Sequence, residues 1–192
     1  MGAEPLEADR TTVNDMAAEL DPESLASQIA WVGGHADVWR LFDEAESLRA
    51  IAAALVEPFR GDVTKIAGIE SRGFILGTAC ALELGTGFVP IRKEVGVFPG
   101  PKAVTETGSD YRENRHRLRL QRAALSAGDR VLLVDDWIET GMQAAGAKVL
   151  IEDCEATFVG VAAIVDQLPP ERAQELVRVH TLVSRTLLGS DQ

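Results

Sequence analysis

The chemistry-bearing residues of this chain gather in three short stretches. The first is VLLVDDWIETGMQ, residues 131–143, where an apolar run leads into Asp135 and Asp136 and a Thr140-Gly141 turn follows. Two adjacent carboxylates accept several hydrogen bonds and attract a cation, and the vicinal diol of a ribose is a matching pair of donors. The pair also fits an ordinary loop with an aspartate helix cap, so its weight comes from its surroundings. A helix opening after Gly141 would present backbone N–H groups to an anion, with the glycine allowing close approach. The second stretch, Glu70, Ser71 and Arg72, ends the apolar run VTKIAGIE, and the third, Arg92 and Lys93, follows FVPI. In open parallel sheets ligands bind beyond the carboxyl ends of the strands, so the three should meet in one cleft.

The elements that would position these residues alternate between strand and helix, which places the chain in the α/β class: a parallel sheet flanked by helices. Asp21-Pro22-Glu23 starts a helix reaching to about residue 30 and broken by Gly33-Gly34. Leu48, Ile51, Ala52 and Leu55 recur at helical spacing within residues 43–56. Strands are expected over 63–69, 88–91, 116–121, 131–134, 157–165 and 181–184, and helices over 74–85, 143–152 and after Pro169-Pro170. Residues 92–111, rich in Gly, Pro and Thr, read as a long loop of the kind that often serves as a lid. The division expected is a single domain over 1–192, with a tail at 1–14, a hood segment at 15–42 and a core at 43–192.

The chain has 192 residues and a net charge of −11. That sign argues against a general nucleic-acid partner and requires any bound phosphate to be held by local groups. Cys80 and Cys154 have no second Cys or His at metal-ligand spacing, so they read as buried small residues in a reducing cytoplasm rather than as zinc ligands. No apolar run is long enough for a membrane span, and MGAEPL lacks a signal-peptide core. Residues 112–122 hold five arginines and one glutamate, but Arg117, Leu118, Arg119 and Leu120 alternate as in a strand with a solvated or dimer-forming face. His35, Trp39 and Phe42 could touch a base or be surface and core residues. Trp137 could cover a ribose or simply pack.

Residues 131–141 resemble the phosphoribosyl-diphosphate motif of type I phosphoribosyltransferases: four apolar residues, two acids, two variable residues, then Ala/Thr-Thr-Gly-Gly-Thr. IAGIESRGFILGTACALELGTGFVPIRK, residues 66–93, and FPGP, residues 98–101, are similar to the adenine phosphoribosyltransferases. The similarity covers roughly residues 35–168. It implies transfer of ribose 5-phosphate from phosphoribosyl diphosphate to a purine-type, adenine-like base, with magnesium carried on the diphosphate and a homodimeric assembly. Carried over by position, Asp135 and Asp136 would hold the ribose hydroxyls, and Glu139, Thr140, Gly141, Met142 and Gln143 would wrap the 5'-phosphate. Ser71 and Arg72 would bind diphosphate, Arg92 and Lys93 would contact it in a closed state, Asp37 would belong to the hood, and Asp110 would stand near the reacting base.

The departures concentrate in the phosphate turn. Glu139, Met142 and Gln143 replace the family's Ala/Thr, Gly and Thr, and Val97 falls near where a lysine is usual. A carboxylate ~5 Å from a phosphate dianion costs several kcal/mol at an effective dielectric of ~20. Three outcomes stay open: Glu139 turns outward and catalysis is ordinary; it bonds a hydroxyl, so that the ribosyl donor is altered at its 5' position; or the fold serves as a non-catalytic nucleotide sensor.

Overall fold

The structure, a computed structural model, describes residues 20–93, 98–108 and 116–189. Asp21 caps helix α1 (Pro22–Ser27): its carboxylate accepts from Ser24 N at 2.7 Å and Pro22 occupies the first turn. This helix stops at Ser27, earlier than its sequence suggests, because Ala30–Val32 (β1) and His35–Asp37 (β2) pair as a small antiparallel hairpin. Gly33 and Gly34 are the hairpin turn, both with positive φ, rather than a helix stop. Helix α2 (Ala45–Val56) buries Ile51, Ala52 and Leu55, the face marked by its periodicity, and leaves Leu48 half-buried.

The main sheet has seven strands in the order β5-β6-β4-β3-β7-β8-β9. These are β3 (Lys65–Ile69), β4 (Gly87–Lys93), β5 (Lys102–Glu106), β6 (Arg117–Gln121), β7 (Arg130–Ile138), β8 (Thr157–Asp166) and β9 (Val179–Ser184). The pairs among β4, β3, β7, β8 and β9 are parallel, whereas β6 runs antiparallel to both β4 and β5. Strand β5 lies inside the stretch expected to be a loop. As an edge strand it pairs on one side only, and its short sequence shows little alternation.

Helices α3 (Arg72–Leu84), α4 (Met142–Asp153) and α5 (Pro170–Ala173) complete the alternation. Residues of β3 and β7 point alternately to two cores. Ile66, Leu132 and Val134 join α1, α2 and α3, while Ala67, Ile69, Val131 and Leu133 pack with Ala147, Leu150 and Ile151 of α4 and with Leu118 and Leu120 of β6. Both faces of the central strands are thus apolar, which explains why they read as continuous apolar runs. The sheet therefore holds the ends of β3, β4 and β7 side by side, where the three polar stretches emerge.

Candidate active site

The ends of β3 and β7 are locked together by backbone contact. A Cβ on Gly68 would fall 2.1 Å from the Gly73 carbonyl oxygen, and one on Gly73 would fall 3.2 Å from an Asp135 oxygen. Glycine at both positions lets the start of α3 press onto β7 beside the acids. The Glu70-Ser71 peptide just before this helix is cis. Arg72, the first residue of α3, brings Nε within 3.0 Å of Asp136 Oδ2. That oxygen accepts no directed hydrogen bond, so the contact is an ion pair, and Asp136 is only 3% exposed.

Strand β7 runs on to Ile138, so the acids lie within it rather than beyond its end. Asp135 Oδ1 accepts from the Asp136 backbone N–H at 3.0 Å. Loss of solvent, reinforced by the neighbouring Asp136 charge, pushes the Asp135 carboxyl well above the usual carboxylate range, with the Lys93 charge acting in the opposite direction. A diol or a cation delivered here would relieve that cost.

The turn into α4 follows at once. Gly141 has φ 71°, and Ala145 N–H donates to its carbonyl as the first helical bond. Thr140 Oγ1 accepts from Met142 N–H at 3.4 Å. The Met142 side chain runs toward the end of β5, where a Cβ on Gly108 would fall 2.3 Å from Met142 Cε. The departure from glycine at 142 is thus accommodated by a second glycine, and the thioether chain lies against Gly108 instead of filling the turn.

One cavity of about 590 Å³ collects these groups. Its wall includes Ser71, Arg72, Lys93, Asp135, Asp136 and all five residues of 139–143, with Glu139 half-buried. Arg92 is absent from the wall. Successive strand residues face opposite ways, and Arg92 Nε instead meets Glu70 Oε2 at 2.9 Å, with Arg119 as its cross-strand neighbour. Asp37 binds Trp39 N–H and pairs with Arg40 at 3.4 Å, also off the wall. Asp110 and Val97 lie outside the described residues. Among the described residues no group of three or more His, Cys, Asp or Glu is placed to hold a metal.

Residues 40–183 match the family model described as the phosphoribosyl transferase domain. The chain belongs to the phosphoribosyltransferase family. Adenine phosphoribosyltransferase of Methylobacillus flagellatus is 40% identical over 144 residues, covering 74% of this chain and 80% of the relative. That of Nocardioides is 40% identical over 155 residues, 77% and 82% of the two chains. Among solved structures, adenine phosphoribosyltransferase from Rhodothermus marinus superposes with a TM-score of 0.73 at 32% identity, covering 89% of this chain and 99% of the other. The Trypanosoma brucei enzyme, solved with AMP, pyrophosphate and ribose-5-phosphate, gives 0.76 at 26% identity, covering 88% and 81%.

Within this member of the family the motif-bearing stretches are brought together, but one wall of the cavity was not visible in the sequence. Trp31 of β1 donates its indole N–H to Leu188 O at 3.1 Å and meets Trp137 edge to face, ring centroids 6.5 Å apart. Arg185, which follows β9, holds its guanidinium carbon 4.6 Å from the Trp31 ring centroid. Trp137 donates to Gln167 Oε1 at 3.3 Å, and Arg72 lies 5.9 Å from the Trp39 centroid. Trp31, Gln167 and Arg185 carry no local motif. They meet because the N-terminal hairpin and the end of β9 are neighbours in space, although far apart in the chain. No helix among the described residues is long and apolar enough to cross a membrane.

Proposed function

We propose that this protein transfers ribose 5-phosphate from phosphoribosyl diphosphate to a purine-type base and releases diphosphate. The observation that carries this reading is the acid pair within β7, Asp136 buried and Asp135 half-buried, set against Ser71 and Arg72 and followed by the amide turn of α4 in one cavity. The family relationship supports it, because its relatives are adenine phosphoribosyltransferases.

In this reading Asp135 and Asp136 accept from the two ribose hydroxyls, and the amides of residues 140–143 receive the 5'-phosphate. Ser71, Arg72 and Lys93 face the diphosphate. A purine nitrogen forms the new C–N bond at the ribose C1 carbon as the C–O bond to diphosphate breaks, the electron pair leaving with diphosphate and the purine N–H proton passing to solvent or a base. Positive charge develops on the ring, as in glycoside hydrolysis. Arg72 and Lys93 offset the charge that builds on the leaving group. Arg92 acts from behind the wall by fixing Glu70, and Asp110 is proposed near the base.

Magnesium fits such a site as an ion held by diphosphate oxygens and water, with Asp135 and Asp136 as the acids facing it, and would neutralise leaving-group charge. A homodimer is proposed as well. Ile75 and Leu82, one α3 face apart by seven residues, are 38% and 78% exposed, and sedimentation would show the assembly.

The test is diphosphate release with phosphoribosyl diphosphate, magnesium and a panel of purine bases. Base-dependent release supports transfer. No release with any base, together with saturable binding of phosphoribosyl diphosphate by calorimetry, would replace it with the sensor reading.

A further inference from the structure

We infer that Leu168 is a positioning residue for the phosphate turn: from behind the cavity wall it holds Gly141 in the left-handed conformation that aims the amides of residues 140–143 at an anion. The inference rests on the transferase reading and adds to it a residue that touches no substrate. A turn that binds through its backbone depends on its own shape, and this one has little support from within. Gly141 has φ 71° and ψ −1°, and no side chain among the described residues caps the start of α4. The bond from Met142 N–H to Thr140 Oγ1 is long, 3.4 Å. Glycine also has the widest backbone freedom of any residue, so its conformation must be fixed by what packs against it.

That packing comes from the segment leaving β8. A Cβ on Gly141 would fall 2.7 Å from Leu168 Cδ1, with Leu176 Cδ1 at 3.7 Å and Arg172 Cβ at 3.8 Å. Leu168 thus occupies the space on that side of the glycine, and the other two stand further off. Leu168 is itself tied to the strand that feeds the turn. Asp166, the last residue of β8, pairs in register with Ile138 of β7. Gln167 N–H donates to Ile138 O at 2.8 Å, and Leu168 N–H donates to Asp166 Oδ1 at 2.9 Å. Gln167 Oε1 accepts from the Trp137 indole at 3.3 Å, and Pro169 and Pro170 stiffen the backbone that follows. The strap therefore carries the position of the end of β7, where the turn begins, round to the far side of Gly141. Gln167 lines the cavity, whereas Leu168, Arg172 and Leu176 do not. Any effect of Leu168 on a ligand passes through Gly141.

The test separates the two ends of the donor. In the transferase reading the turn receives the 5'-phosphate, while Ser71, Arg72 and Lys93 face the diphosphate. Calorimetry on the full-length protein with magnesium would give dissociation constants for phosphoribosyl diphosphate and for diphosphate alone. In Leu168→Ala, phosphoribosyl diphosphate is expected to bind about tenfold more weakly and diphosphate within about twofold of the unaltered protein. Leu168→Met, long enough to reach Gly141, should bind both ligands as the unaltered protein does. Leu168→Val shortens the side chain with less loss of volume; it should weaken phosphoribosyl diphosphate alone, and it covers an alanine variant that fails to fold. Unchanged binding in the shortened variants overturns the inference and leaves the transferase reading standing if diphosphate is released on turnover. Equal weakening of both ligands makes Leu168 a general packing residue and overturns it too, as does a methionine variant as weak as alanine. Failure of the unaltered protein to bind either ligand also overturns it, and joined to absence of base-dependent diphosphate release it removes the transferase reading as well.

Discussion

Asp135 and Asp136, and the turn at residues 139–143, are a few residues apart on one strand and its exit, yet they are built on different terms. The acids would work through side chains, packed where Gly68 and Gly73 leave little room for adjustment. The turn would work through backbone amides, so its side chains are free to find other occupations, as Met142 does on Gly108. Three changed residues in the turn therefore leave its backbone amides available to an anion in the proposed reading, while one changed acid in β7 would remove a proposed ligand-binding side chain outright.

The sharpest way to break this contrast is Asp136→Ala. It removes the partner of Arg72 and one of the two diol acceptors, so base-dependent diphosphate release should fall by at least ~100-fold, about 2.7 kcal/mol. A loss below tenfold would show that the acids are not the functional side chains. Gly108→Ala comes next: its methyl would collide with Met142 Cε, and overpacking of this kind costs about 1–3 kcal/mol. Denaturant unfolding should show the loss, and Met142→Gly in the same chain should restore most of it.

Glu139→Ala probes the turn itself. Removing one carboxylate from the wall should tighten phosphoribosyl diphosphate about tenfold, or 1.4 kcal/mol, by calorimetry. Met142→Gly alone should leave that affinity unchanged. Equal effects of the two substitutions would erase the distinction between a charge on the wall and a side chain that lies against Gly108.

Asp135→Asn separates stability from function in the acid pair. The folded carboxyl titrates above its unfolded counterpart, so the folded state favours the protonated form. That favourable contribution is complete below the unfolded value, near pH 4, and is lost as pH rises through the folded one. The neutral amide should therefore unfold at higher denaturant than aspartate at pH 7, by about 1.4 kcal/mol for each pH unit separating the two values. The gain should vanish below pH 4, and diphosphate release should fall at every pH. A variant less stable than the parent at pH 7 would contradict the burial cost assigned to Asp135.

The central strands were legible because both their faces are buried, which writes a continuous apolar run into the sequence, and because their polar ends follow at once. Strand β5 was hidden by its Gly- and Pro-rich flanks. The hairpin was hidden because two glycines signal a turn without saying what they join. Asp135, Asp136, Ser71, Arg72 and Lys93 could be placed from strand ends alone. Arg92 could not: facing the cavity or away from it depends on a one-residue phase in β4 that the apolar pattern leaves open. Trp31 and Arg185 were beyond reach, since their contact depends on how the hairpin folds over the sheet's far edge.

The bond from Trp31 to Leu188 O ties the beginning of the described chain to its end at a single wall. Replacing Trp31 by a residue without a ring N–H would therefore loosen the hairpin and the segment after β9 together, two stretches that are distant in sequence. Changes at the β5 margin, on the opposite edge of the sheet, would leave that wall undisturbed.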